Sequence, residues 1–167
     1  MLHPLFRYLG ASPDGLIVDE SMNPAYGLLE VKCPYSAYKD SETITDACQI
    51  KGFCCTVQNN VVKLQRNHQY FFQVQGQMGI CGVKWCDFVV WIGTDTFIER
   101  IAFDETFWHD SLLPKLTNFY SSVAMQYLQE NSKPTPATVS DSEALQADMQ
   151  QYELLLPAAL CQSRIGG

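Results

Sequence analysis

The chain has 167 residues, 47% of them hydrophobic and 12% aromatic, enough for one domain with its own core. Its formal net charge of −7 argues against tight non-specific nucleic-acid binding through basic patches. No apolar run approaches the roughly 20 residues of a membrane span, and Met1-Leu2-His3-Pro4 opens neither a basic nor an apolar leader, so the expected compartment is intracellular.

In chain order, residues 5–11 read as a first strand, although Leu5, Tyr8 and Leu9 do not alternate cleanly. Pro13-Asp14-Gly15 is turn chemistry, and Leu16-Ile17-Val18 continues as a second strand. A turn over residues 23–27 leads into Gly27-Leu28-Leu29-Glu30-Val31-Lys32-Cys33-Pro34. Three short strands joined by tight turns suggest an antiparallel meander. In the third, the odd positions Leu29, Val31 and Cys33 are assigned to the core, which puts Glu30 and Lys32 side by side on the solvent face.

Residues 41–52 read as a helix capped by Ser41 and stopped by Gly52. Residues 55–57 and 60–64 look extended, with a turn at Asn59-Asn60. The clearest helix spans residues 68–81. Phe71, Val74 and Met78 form its apolar stripe, and Gln69, Gln73 and Gln77 recur at i, i+4, i+8 as a separate polar stripe. Residues 87–92 are a nearly continuous apolar run, expected to be a strand buried on both faces, and residues 97–103 return as its hairpin partner. A helical pattern from Asp104 to Glu130 carries Trp108, Leu112, Leu116, Phe119, Val123 and Tyr127 at about the helical period. Pro114 interrupts it, so a break is expected near Ser111. Residues 131–142 have linker composition. The remaining tail, 143–167, holds a short amphipathic pattern capped by Ser142 and ending at Pro157.

The chemistry-bearing residues are Asp14, Glu30 and Lys32. Each alone is ordinary: a turn aspartate, and a strand pair worth little to stability. Together they answer the two difficulties of phosphodiester hydrolysis, a poor nucleophile and a charged leaving oxygen. Two carboxylates brought together by a hairpin can hold Mg²⁺, which takes one or two carboxylates and keeps several waters; the Val31 carbonyl is a third candidate ligand. Lys32 is placed to hold the attacking water or the scissile phosphate. Gln73, and Gln77 one turn on, would reach this place from the helix. The cations available to a DNA backbone, Lys39, Lys51, Lys63 and Arg66, fall in one irregular stretch. With Ser12 and Gln77 they complete the candidate DNA contacts. The seven cysteines form no CxxC pair, so a zinc site drawn from Cys54, Cys55, His68, Cys81 and Cys86 has no spacing to support it.

Residues 10–16 (GASPDGL), 27–35 (GLLEVKCPY) and 70–78 (YFFQVQGQM), in that order, resemble the YqaJ-like viral recombinase family, the lambda-exonuclease-like branch of the PD-(D/E)XK nucleases. The resemblance runs from about Leu9 to Tyr120. It implies an α/β fold in the α+β sense, a central mixed sheet with an antiparallel hairpin or meander, flanked by helices. It further implies Mg²⁺-dependent hydrolysis of DNA, with Mn²⁺ able to substitute, by a core of Asp14, Glu30 and Lys32 with Gln73 beside it. It points to 5′–3′ exonuclease action on double-stranded DNA in recombination, to a single-strand annealing protein as a partner, and to a homo-oligomer. Family members carry a further N-terminal helical region that adds an acidic residue. Residues 1–130 are therefore expected to be a nuclease core without it. The alternative is a nuclease-fold remnant that binds nucleic acid or protein without turnover.

Overall fold

The computed structural model describes residues 1–131; the expected linker and tail helix lie outside the described residues. A four-stranded sheet organises them. β1 (Gly15–Val18) and β2 (Tyr26–Lys32) form an antiparallel hairpin in which Gly15 pairs with Leu29. β2 pairs in parallel with a later strand, and between the two run helix α1 (Tyr35–Asp40), helix α2 (Ile44–Ala47), a separate hairpin of β3 (Cys55–Gln58) and β4 (Val61–Leu64), and helix α3 (Gln69–Cys81). β5 (Trp85–Trp91) is that parallel partner, and β6 (Thr96–Ala102) pairs antiparallel with it, giving the order β1-β2-β5-β6. The sheet is mixed, as expected. The three-strand meander is not present, because residues 5–11 are not a strand. There His3 Nδ1 accepts from the amides of Leu5 (3.2 Å) and Phe6 (3.0 Å), the Leu9 amide donates back to Phe6, and only an isolated Leu2–Gly10 bridge is extended. That turn sends Phe6 and Leu9 into a small apolar cluster with Ile80, Trp108 and Leu113.

Local signals explain most of the elements. Asn59 and Asn60 adopt φ of 50° and 62°, the left-handed pair that a two-residue hairpin needs. His68 caps α3 through a bond from the Tyr70 amide, and Gly82 ends it at φ 69°. Thr43 and Asp46 form a capping box at α2. The expected 41–52 helix is therefore one short turn starting after Thr43, and α1 occupies the stretch before it. The helical segment beyond Asp104 has no break near Ser111, which lies inside a π-helical turn. It runs as α4 (Glu105–Phe107), a π-helical turn (Trp108–Leu112), α5 (Leu113–Phe119), a second π-helical turn (Tyr120–Ala124) and α6 (Met125–Asn131). The Leu113 amide donates to the Trp108 carbonyl across the first π turn. Pro114 then falls in the first turn of α5, where its missing N–H is not needed.

One face of the sheet carries Leu28, Glu30 and Lys32 of β2, Cys86, Phe88 and Val90 of β5, and Glu99 and Ile101 of β6, in register across the strands. Phe71, Val74 and Met78 of α3, with Phe53, Cys55 and Leu64, pack on it as the main core. The opposite face is only half covered: Leu29, Val31, Asp87 and Val89 are half-buried, and Trp91 and Ile98 are exposed. β5 is thus buried on one face and not on two. Arg100 bridges Asp87 and Asp19 across that open side, with its guanidinium 4.0 Å from the Trp85 ring.

α3 can lie against the π turn because Gly79 has no side chain. A Cβ there would sit 2.5 Å from the Trp108 ring, which is itself buried. Gly79→Ala gains about 1 kcal/mol of helix propensity, but overpacking a closed core site costs about 1–3 kcal/mol. A net loss of stability is expected in urea unfolding, and a more stable variant would show that the approach of Trp108 is relaxed in solution.

Candidate active site

The site forms where β2 passes the middle of α3. The parity of β2 is opposite to the expected one. Leu28 is fully buried, Glu30 is only 2% exposed and on the same inner face, and Cys33 is exposed. The reason is α3, which covers this face. Its Tyr70, Gln73 and Gln77, spaced i, i+3, i+7, point at β2, and Gln69 falls off this line and is exposed. The real polar stripe therefore includes an aromatic residue that a search for glutamines passes over.

Glu30 is held on all sides. Oε1 accepts from the Lys32 ammonium and from Gln73 Nε2 at 2.7 Å, and Oε2 accepts from Gln77 Nε2 at 2.9 Å. Lys32, whose side chain is 18% exposed, lies 4.9 Å over the Tyr70 ring. Gln77 is only 6% exposed, and among the described residues its carbonyl oxygen Oε1 has no hydrogen-bond partner. On the other side of β2, exposed Asp14 receives the Val31 amide on Oδ2 at 2.7 Å. Pairing with β1 ends at Gly15–Leu29, so Val31 lies past its end and the aspartate takes the place of a strand neighbour. In an extended strand the amide and carbonyl of one residue point to the same side, which directs the Val31 carbonyl to Asp14 as well. Cys86, beside Leu28 in the register, is pushed up to about 12 by burial and then by the Glu30 carboxylate, so its thiol is protonated and inert.

The remaining candidates separate. Gln75, between the two site glutamines, is structural: it donates to the Ala102 carbonyl and accepts from the Asp104 amide, both at 2.9 Å. Ser12 is exposed and borders a cavity beside α3. Lys39 and Lys51 are exposed on α1 and on the turn after α2. Lys63 and Arg66 are not free cations, since both pair with buried Glu99, at 3.5 and 2.8 Å. Glu99 also accepts from the Leu64 amide, which fastens the β3–β4 hairpin to β6. A buried acid among apolar strand residues was the signal for this anchor. Gln77, expected to touch DNA, is turned inward onto Glu30.

Among the described residues no three His, Cys, Asp or Glu side chains converge as a metal cage. Cys54 and Cys55 instead pair with each other, sulfur to sulfur at 3.8 Å, and His68 Nδ1 is occupied in capping α3. Asp14 Oδ1 makes no hydrogen bond among the described residues, Glu30 Oε2 accepts one of the two it can, and the Val31 carbonyl adds a third hard oxygen. Such a set fits a hydrated Mg²⁺ or Mn²⁺ and does not fit zinc.

No helix among the described residues is long and apolar enough to cross a membrane. Two solved structures are similar to this chain. One is LHK-Exo in complex with dAMP, 21% identical with a TM-score of 0.40. The other is an alkaline exonuclease (LHK-Exo) from Laribacter hongkongensis, 20% identical with a TM-score of 0.38. Each alignment covers 71% of this chain and 60% of the solved one, so the chain matches less than two thirds of those proteins. No curated protein matches it significantly. The profile of the YqaJ-like viral recombinase domain matches residues 1–84, half of the chain, and that stretch contains Asp14, Glu30, Lys32, Gln73 and Gln77. The chain belongs to the YqaJ-like viral recombinase domain family.

Proposed function

We propose that this chain hydrolyses DNA phosphodiesters with a divalent metal, as a 5′–3′ exonuclease on double-stranded DNA in recombination. The observation that carries the reading is Glu30, a carboxylate 2% exposed, gripped by one ammonium and two amides a single residue from the amide that fixes Asp14. Stability does not account for it, because a buried ion pair is often matched by apolar residues of the same size. Asp14, Glu30 and the Val31 carbonyl would hold Mg²⁺ or Mn²⁺. When bound, the metal would acidify a water and offset the charge of the leaving oxygen. Gln73 and Gln77 fix the Glu30 carboxylate in one orientation without adding charge. Lys32 places a cation beside the metal ligands, where a phosphate would meet it. Family membership supports the place in recombination, and with it self-association and a single-strand annealing partner.

Asp14→Ala is the direct test of the metal site. Calorimetric titration with Mn²⁺ is expected to show binding to the wild type and little or none to the variant; equal binding would remove Asp14 from the ligand set. Loss of duplex degradation with EDTA, and its return with Mg²⁺, tests the reaction.

A second reading, a domain that binds nucleic acid or protein without turnover, is favoured by one observation. The net charge is −7, and Lys63 and Arg66 are engaged with Glu99, which leaves few cations for a backbone. DNA retained without metal-dependent cleavage at low salt would select that reading.

A further inference from the structure

The open face of the sheet carries two tryptophans of β5 in different surroundings. Trp85 and Trp91 are an even number of residues apart on one strand and point to the same side. Trp85 is covered. The Arg100 guanidinium lies 4.0 Å from its ring and is held there by the carboxylates of Asp87 and Asp19, and the residue is 2% exposed. Trp91 is 45% exposed, and among the described residues no cation lies over its ring.

Trp91 ends a row of aromatic side chains. Its ring lies 6.2 Å from that of Tyr38, which lies 6.5 Å from that of Tyr35, and the two tyrosines are 56% and 75% exposed. Ile98, paired with Val89 across the β5–β6 ladder, adds exposed apolar surface on the same face. The row is built into the fold. Gly93 permits it, since a Cβ there would sit 2.6 Å from the Tyr38 ring. The loop that carries Gly93 is tied to the segment after α1: Thr94 Oγ1 donates to the Glu42 carbonyl at 2.7 Å, and Asp95 Oδ2 accepts from the Ile44 amide at 2.9 Å. Asp40, Glu42 and Asp95 therefore belong to the segments that frame the rings, against one exposed cation, Lys39.

Three exposed rings side by side, rimmed by charge, mark an interaction surface. The charges select the occupant. A nucleic-acid strand could stack on the rings, but it would bring phosphates toward three carboxylates. A second copy of this chain would bring the same net charge of −7. An arginine fits both features, because its planar guanidinium stacks on aromatic faces and donates to carboxylates. Arg100 on Trp85, between Asp87 and Asp19, is that arrangement already made within the chain on the same face.

We propose that the Tyr35–Tyr38–Trp91 row docks an arginine-bearing segment of a partner protein, with the guanidinium stacked on Trp91 and Tyr38 and the apolar neighbours of that arginine on Ile98. Trp91 and Glu30 lie on opposite faces of the sheet, so the docking does not depend on the nuclease reading.

The probe is a peptide of alternating leucine and arginine with both ends blocked, titrated into the isotopically labelled full chain. Binding is followed by the NMR signals of the Trp91 indole and the Gly93 amide, and both are expected to shift. The same peptide with lysine in place of arginine is expected to bind more weakly, and with glutamate not at all. Trp91→Ala and Tyr38→Ala change exposed side chains and should keep the wild-type circular dichroism. Each is expected to weaken the arginine peptide by about fivefold, the scale of one exposed cation–π contact, read from the Gly93 amide. Unchanged affinity in both variants would overturn the proposal. Equal binding of the lysine and arginine peptides would also overturn it, because charge alone would then suffice. Shifts of the Trp91 indole with a short oligothymidylate in place of the peptide would assign the row to nucleic acid. Shifts with protein concentration alone would assign it to a second copy, and either result would likewise overturn the proposal.

Discussion

Glu30→Gln is expected to reduce DNA cleavage by about 10²–10³-fold, the scale of losing one preorganised electrostatic group, in a chain that still folds. The retained fold follows from Gln77. In the wild type its amide nitrogen donates to Glu30 Oε2 while its own carbonyl oxygen is buried and, among the described residues, unpaired. A glutamine at position 30 presents one acceptor and one donor. Gln73 can donate to the acceptor, and Gln77, rotated by half a turn about its last bond, can accept from the donor. The hydrogen bonds are kept and the charge is lost. The release of acid-soluble nucleotides from linear duplex, together with thermal unfolding of both proteins, checks this. Wild-type cleavage by a folded Glu30→Gln protein would mean that the carboxylate serves the fold and not the chemistry.

Lys32→Ala is expected to reduce cleavage on a similar scale and also to destabilise the chain. The sequence reading places Lys32 on a solvated face, where its removal would cost less than about 1 kcal/mol. Among the described residues its ammonium is the only cation on a carboxylate 2% exposed. Removing one partner of a fully buried pair costs about 3–5 kcal/mol. Here two amides remain on Glu30 and the lysine is partly open to water, so a loss of about 1–3 kcal/mol is expected. A double-mutant cycle separates the two roles. Adding Glu30→Gln to Lys32→Ala should recover much of the stability, because the stranded charge is gone, and none of the activity. If stability is unchanged in Lys32→Ala, the ion pair is not formed in solution; if it falls and the second substitution makes it fall further, the stranded-charge account is wrong.

Not every element was equally legible. The Asn59-Asn60 hairpin, helix α3 and the β5–β6 pair are legible in the sequence because their causes are local: left-handed turn residues, an apolar stripe at the helical period, and two apolar runs on either side of a turn. Residues 5–11 were misread because their apolar residues look like a strand, while the His3 side chain closes a turn. A break is expected near Ser111 from Pro114, because the π turn that precedes the proline leaves no trace in a 3.6-residue pattern. The exposed Phe119, Val123 and Tyr127 show the limit of that pattern: the period continues after the core that needs it has ended.

At the site, the residue types and order of Asp14, Glu30, Lys32 and the glutamines were determined by the sequence alone, since short motifs at fixed spacing need no tertiary information to be recognised. The face of β2 that carries Glu30 was not. A strand alternates with period two whichever side is buried, and one register step exchanges the faces. Only the placement of α3 across β2 decides that Glu30 is inside, that Tyr70 and Gln77 belong with it, and that Lys63 and Arg66 are drawn to Glu99 instead of standing free. These pairings join residues 33 to 47 positions apart, and nothing in a local pattern encodes which distant charge a side chain will meet.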